Sequence, residues 1–418
     1  MSRSAHTRTV VVAGFGMVGH RFVSELTAKG GLDRWRVVVI GEEERPAYDR
    51  VHLSDLFHGS TTDGLALTEL DERVEIRCGQ RVTDLCVASR TVVTSTGDLV
   101  PYDALVIATG SVPFVPDIPG RDGRGCFTYR TVDDVHAIRE WARDGRTGVV
   151  IGGGLLGLEA ANALLSLGLD TSVVELAPRL MALQVDDPGG AVLRDRIEEL
   201  GVRVHTSTPT TEVVLRGGRV RAVRFADGSC IPADLVVFSA GIRPRDELAR
   251  QAGLAIGERG GIVIDDTCRS SDQHIWAIGE CAVHRGRIHG LVAPGYEMAR
   301  VVADQLCGGN ATFEGAEPAT KLKLLGVDVA SFGDPHGEPA IVLTDRVRQI
   351  HKRVVIRAGK VAGGVLVGDT SSYPTLLEMS RTGQPVPDNL IELLTDGASS
   401  RGGLICSCNN VDTRAVRE

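Results

Sequence analysis

An α/β protein is expected from this chain: two Rossmann-like dinucleotide-binding domains, the second inserted in the first, plus a small C-terminal α/β domain. Three observations carry that expectation. One module occurs twice, as TVVVAGFGMVGH at 9–20 and as TGVVIGGGLLGL at 147–158. Glycine reaches 50 of 418 residues while aromatics are only 4%, a balance that suits tight turns and close backbone approaches. A chain of 418 residues that is 43% hydrophobic exceeds one ordinary domain, so two or three packed cores are expected and wholesale disorder is excluded.

Each module reads as a β-branched strand, then G-x-G-x-x-G, then a helix. Gly14, Gly16 and Gly19 form the first set, and Gly152, Gly154 and Gly157 the second. The first glycine permits the tight turn, the second lets backbone N–H groups approach a pyrophosphate, and the third lets helix and strand pack closely. The helix N-terminus adds partial positive charge, so Met17 and Leu155, next after the second glycines, join the two binding sets. A second strand follows each helix. RVVVIGEE ends near Glu42 and TSVVEL at Glu175, 23 and 18 residues past the third glycine, close to the spacing of a ribose-binding carboxylate. Glu43 is the alternative to Glu42, because the strand end is ambiguous by one residue. Two dinucleotides are therefore expected.

Further along, YDALVIATGSVPFVPDIPG (102–120) and ADLVVFSAGIRPRDEL (233–248) read as strands that cross from one domain to the other. IWAIGEC (275–281) follows a turn, with a helix beginning near Pro294. The expected boundaries are 1–120 with 236–311 for the first domain and 121–235 for the inserted one. A C-terminal α/β domain of alternating strands and turns follows at 312–402, then a tail at 403–418.

The formal charge of −8 offers no basic face for nucleic acid or anionic lipid. The start leads directly into a strand, without an apolar leader. Residues 147–169 are long enough to span a membrane, but their glycines, Glu159 and Asn162 fit a buried strand, turn and helix better. Nine scattered cysteines suggest reduced thiols and a cytoplasmic protein. No metal-ligand pattern emerges among the 11 histidines, and His274, His284 and His289 read as surface or loop residues.

AGFGMVGHRF, GEEERPAYDRVHLSDLF, VIATGSVPFVPDIPG, IGGGLLGLEAA, AIGECAVHRG, GLVAPGYE and TKLKLLGVDVASFGD together carry a resemblance. The chain resembles the pyridine nucleotide-disulfide oxidoreductase superfamily, in the branch without a redox disulfide, and most closely the N-terminal flavin half of assimilatory NADH-dependent nitrite reductase large subunits. The electron-transfer subunit of assimilatory nitrate reductase is nearly as similar. The resemblance implies FAD on the first fingerprint, with Glu42 or Glu43 on the ribose, Val82 at adenine, and Ala108, Thr109 and Gly110 near the phosphates. It also implies FAD contacts from Arg50, Arg130, Gly279, Glu280 and Ala293. The alternative for Arg50 is an exposed salt-bridging arginine. Most of the superfamily has Asp at Glu280.

The second fingerprint is implied to bind NADH, with Gly241 in its crossover. Glu175 suits free ribose hydroxyls and repels a 2′-phosphate, although a phosphate could recruit nearby Arg179. The resemblance also implies that Glu159 faces nicotinamide and flavin. Its usual lysine partner is absent, because the matching segment is Leu53-Ser54-Asp55. Residues 42–60 contain no cysteine, so thiol chemistry is not expected and Cys281 reads as a small buried residue.

Cys406 and Cys408 resemble the start of a small [2Fe–2S] domain. Four thiolates are needed and no later cysteine follows, so no cluster is expected in this chain alone, and the sirohaem-binding half is absent. The expectation is an FAD-dependent oxidoreductase that takes hydride from NADH and passes electrons to an iron–sulfur or sirohaem partner in nitrite reduction. A nitrate reductase electron-transfer subunit, a ferredoxin or rubredoxin reductase, and a nucleotide-binding regulatory protein without turnover stay open. So does a homodimer formed through the C-terminal domain.

Overall fold

The computed structural model describes residues 8–316, 319–324, 326–395, 404–406 and 411–412. Its contacts divide the chain into two compact units. Of the described residues, one holds those from 8 to Leu53, Ser60–Val112 and Ile242–Ala316; the other holds Ser54–Gly59, Pro113–Gly241 and those from 319 onward.

The first unit is built on a five-stranded parallel sheet. Its order is Ile275–Ala277, Ala104–Ile107, Arg8–Ala13, Trp35–Ile40, Glu75–Arg77. Val10–Val12 and Val37–Val39 are fully buried, as continuous β-branched runs must be when both faces of a sheet are covered. Each such side chain contributes about 1.5–3 kcal/mol on burial. The helices Met17–Ala28 and Val292–Leu306 pack on each other. A three-stranded antiparallel sheet, Val82–Cys86, Thr91–Thr94 and Leu99–Pro101, precedes the crossover strand.

The second unit repeats this plan. Its parallel sheet runs Arg203–His205, Asp170–Val174, Thr147–Ile151, Leu235–Phe238, Cys126–Thr128. It too has a three-stranded antiparallel partner, Thr210–Arg216, Arg219–Phe225 and Cys230–Pro232. Leu235–Phe238 pairs in parallel with Thr147–Ile151, so this sheet runs past residue 235, the edge expected from the sequence. Four consecutive buried residues there are the central strand partner of the fingerprint strand and belong with it.

The C-terminal segment forms a five-stranded antiparallel sheet, ordered Ala319–Leu324, Val327–Gly333, Lys360–Val367, Ile350–Arg357, Ala340–Asp345, with the helix Tyr373–Thr382 on one face. It lies in the second unit because the helix Asp187–Glu199 packs against its strands. The Arg196 guanidinium donates to the carbonyls of Gln349 (3.1 Å) and Arg348 (2.9 Å), and buried His351 meets Asp186 at 2.9 Å. Leu404–Cys406 and Val411–Asp412 pair as a short antiparallel ladder. Cys408 and the side chain of Cys406 lie outside the described residues. Among the described residues no helix is long and apolar enough to cross a membrane.

Candidate functional site

Both fingerprints fold into the same turn. Gly14 and Gly152 have φ of 117° and 118°, where a side chain is strained, and a Cβ on either would run into a crossover carbonyl. That carbonyl is Ala108 for Gly14 and Ser239 for Gly152, so Ala108-Thr109-Gly110 and Ser239-Ala240-Gly241 close the two turns alike. A Cβ on Gly19 or Gly157 would strike the carbonyl of Gly14 or Gly152. Gly16 and Gly154 differ: a Cβ there would meet nothing within 4 Å. Each is the N-cap of its helix, Met17–Ala28 or Leu155–Ser166, and neither helix has a side-chain cap. First-turn N–H groups therefore face open space, the chemistry that accepts a pyrophosphate.

The acids are placed by an exchange of bulk. The Gly14 N–H bonds to the Ile40 carbonyl and the Gly152 N–H to the Val174 carbonyl; the Gly41 N–H bonds to Arg77 and the Glu175 N–H to His205. Glu175 thus corresponds to Gly41, and Glu42 stands one residue further on. Phe15 explains the shift, since a Cβ on Gly41 would come within 2.7 Å of its Cβ. In the second module the residue matching Phe15 is Gly153, which leaves room for a glutamate. The Glu175 carboxylate accepts from the N–H groups of Gly153 (2.6 Å) and Ala177 (2.7 Å). Each oxygen keeps a lone pair for a ribose hydroxyl.

In the first unit Glu42 is half-exposed and pairs with Arg245 at 2.6 Å, with Arg81 at 3.7 Å. Arg245 is tied to the crossover, its N–H donating to Gly110 (2.9 Å) and its carbonyl accepting from Thr109 Oγ1 (2.7 Å). Glu43 instead faces Arg50, with which it forms a close ion pair, and the Tyr48 hydroxyl (2.8 Å). The Arg50 N–H donates to Met17 Sδ at 3.3 Å. Val82 begins its antiparallel strand, partly buried. Gly279, at φ 79°, donates to Met298 Sδ (3.3 Å), and Glu280 accepts from Ser111 Oγ (3.0 Å). Exposed Ala293 lies in the first turn of the helix Val292–Leu306, which has no side-chain cap.

In the second unit Arg130 donates its N–H to Asp134, beside the capping box of Thr131. Half-buried Glu159 neighbours Tyr129, a residue the sequence reading did not single out. Burial, first, and then the Glu159 charge push this phenol well above its ordinary value, against a hydrogen bond from Ser54; Asp55 adds to the rise. Phe57 packs on the Tyr129 ring at 5.9 Å, and Arg139 holds the Leu56 carbonyl at 3.1 Å. The segment that lacks the lysine thus brings Ser54 and Asp55 to Tyr129 and Glu159.

The pyridine nucleotide-disulphide oxidoreductase family matches residues 8–303, and the rubredoxin NAD+ reductase C-terminal domain matches 318–383. The chain belongs to the pyridine nucleotide-disulphide oxidoreductase family. It is 48% identical to a nitrite reductase [NAD(P)H] large subunit of Klebsiella oxytoca, covering 96% of this chain and 44% of that one. It is 45% identical to the nitrite reductase (NADH) large subunit of Escherichia coli K12, covering 96% and 50%. Among solved structures, a ferredoxin reductase from Rhodopseudomonas palustris is 28% identical with a TM-score of 0.84, covering 94% of this chain and 100% of that one. The chain spans about half the length of the curated nitrite reductases it matches. Family membership supports a flavin and a nicotinamide nucleotide as cofactors.

Cys281 is buried, in contact with the carbonyls of Ile278 (3.3 Å) and Ile107 (3.4 Å), and burial pushes its thiol up, away from nucleophilic use. His274 and His289 lie in a turn and a loop as expected, and His284 alone departs from that reading. His284 is buried rather than exposed, 2.8 Å from Asp266 and packed on Phe313 at 4.9 Å. His289 is half-buried against the same ring at 5.5 Å, and burial lowers its pKa. Phe313, far along the sequence, supplies the apolar surface that draws both inward.

Proposed function

We propose that the chain is an FAD-dependent NADH dehydrogenase module whose electrons pass to an iron–sulfur or sirohaem centre in nitrite reduction. The observation that carries this reading is the pair of turns built alike, each with an uncapped helix N-terminus, a pinched crossover and an acid near the strand end. That arrangement fits two dinucleotides. FAD would be held by Gly14, Gly16, Gly19, Met17, Glu42, Ala108, Thr109, Gly110, Gly279, Glu280 and Ala293, with Glu43, Arg50 and Val82 at its margins. NADH would be held by Gly152, Gly154, Leu155, Gly157, Glu175 and Gly241.

When bound, a flavin supplies the ability to take two electrons together and release them singly. The chain's own residues bind and orient. Helix N-termini would meet the pyrophosphates, and Glu175 would hold the ribose so that nicotinamide is presented in one orientation. Glu159, beside Tyr129, would stand toward the nicotinamide, where hydride transfer needs alignment rather than a general base. The named relatives support nitrite reduction as the process served. The full-length match to a ferredoxin reductase supports a second reading, delivery to a small iron–sulfur protein.

Turnover with NADH and ferricyanide tests the dehydrogenase. Replacing ferricyanide with a sirohaem–iron–sulfur domain or with a [2Fe–2S] ferredoxin separates the two acceptors. Faster reduction of the sirohaem domain supports the first reading, and faster reduction of ferredoxin the second. No NADH oxidation with any acceptor contradicts both and leaves the regulatory alternative.

A further inference from the structure

We propose that Asp187 is a positioning residue that sets nucleotide specificity: it holds Arg179 against the start of the helix Asp187–Glu199, away from the ribose acid. This keeps the site selective for a nicotinamide nucleotide without a 2′-phosphate. The inference rests on the reading of the second fingerprint as the NADH site.

Between Glu175 and Val185 the sequence ELAPRLMALQV contains one basic residue, Arg179. A 2′-phosphate beside the Glu175 carboxylate would need that cation to offset the repulsion. All three guanidinium nitrogens are already engaged. Nε donates to the Val185 carbonyl at 2.8 Å, one terminal nitrogen to Asp187 Oδ1 at 2.5 Å, and the other to the Ala182 carbonyl at 3.3 Å. Gly190 makes the seat: a Cβ there would lie 2.9–3.0 Å from Cβ and Cδ of Arg179. The Glu175 carboxylate meanwhile binds the N–H groups of Gly153 and Ala177 rather than the arginine.

Two of the three acceptors are neutral carbonyls. Asp187 supplies the only charge in the set, and at 83% side-chain exposure it can be changed without opening a core. Without it, the guanidinium keeps two ordinary hydrogen bonds that a phosphate dianion outcompetes.

The test uses the holoenzyme, with 2′,5′-ADP and 5′-AMP as probes and NADPH and NADH turnover read in parallel. Asp187→Ala should tighten 2′,5′-ADP about three- to fivefold, the range of an exposed ion pair, and leave 5′-AMP within about twofold. The gain should shrink at high salt, and NADPH kcat/KM should rise by a similar factor. Asp187→Glu should restore wild-type selectivity. Adding Arg179→Ala should abolish the gain. An unchanged 2′,5′-ADP affinity in Asp187→Ala, or an equal gain without Arg179, overturns the proposal. A wild type that oxidises neither nucleotide removes the NADH reading, while the 2′,5′-ADP comparison still decides the role of Asp187.

Discussion

Phe15 with Gly41 and Gly153 with Glu175 are two ways of filling the same space, and they decide how close each acid stands to its turn. The contrast makes the glycines separable by experiment. Gly154→Ala adds a methyl group to open space, so folding stability should change by less than about 1 kcal/mol while the NADH KM rises at least about tenfold. Gly152→Ala drives a methyl into the Ser239 carbonyl at a strained φ and should cost more than about 2 kcal/mol. Thermal unfolding alongside NADH saturation checks both. Equal stability losses in the two variants would refute the division. Glu175→Ala should lower kcat/KM for NADH about 10- to 100-fold, as expected for loss of one or two charge-assisted bonds to ribose hydroxyls, and lower that for NADPH much less.

At the scale of elements, the junction between the helix Asp187–Glu199 and the C-terminal sheet is polar and responsive to acid. Burial pushes the Asp186 carboxyl up, but the His351 hydrogen bond and charge and the Gly189 N–H together bring it below its ordinary value. Asp369 is raised by burial and lowered further by Lys352 and Ser371, reaching about 2. Both groups have depressed native values, so their stabilisation is present above the ordinary carboxylate range and is lost as pH falls through the native values. The C-terminal sheet should therefore loosen between about pH 4 and pH 2, and Asp369→Asn should remove much of that dependence. Circular dichroism across an acid titration reads the difference; an identical acid profile in the variant would contradict it. At neutral pH, Asp369→Ala strands the buried Lys352 and should cost about 3–5 kcal/mol.

The strand–turn–helix units, the crossovers and their glycines follow from local pattern, because tight turns and buried β-branched runs are set by neighbours in sequence. The placement of Leu235–Phe238 in the second sheet, the burial of His284 under Phe313, and the meeting of Ser54 with Tyr129 and Glu159 depend on residues tens to more than a hundred positions apart. The choice between Glu42 and Glu43 stays open because the strand end is ambiguous by one residue, and the bulk of Phe15 is why position 41 itself is glycine. The pairing of Arg179 with Asp187 was open to inspection as a short-range charge pair, yet nothing in the spacing says which way the guanidinium turns.

Across the whole molecule, a duplicated nucleotide-binding plan accounts for the two long parallel sheets, and the C-terminal sheet is carried on the second copy. This architecture supports the proposal of a chain that takes a reducing equivalent from one dinucleotide and hands it to another group. About half of each matched nitrite reductase lies beyond the span of this chain, and the reaction proposed for the chain itself is the first half-reaction, from NADH to flavin. An anaerobic titration of the purified holoprotein with NADH, following the visible flavin band with NADPH in parallel, tests it most directly. Bleaching by about one equivalent of NADH, with NADPH far weaker, is expected of an NADH dehydrogenase. A bound flavin that NADH leaves oxidised would contradict that proposal.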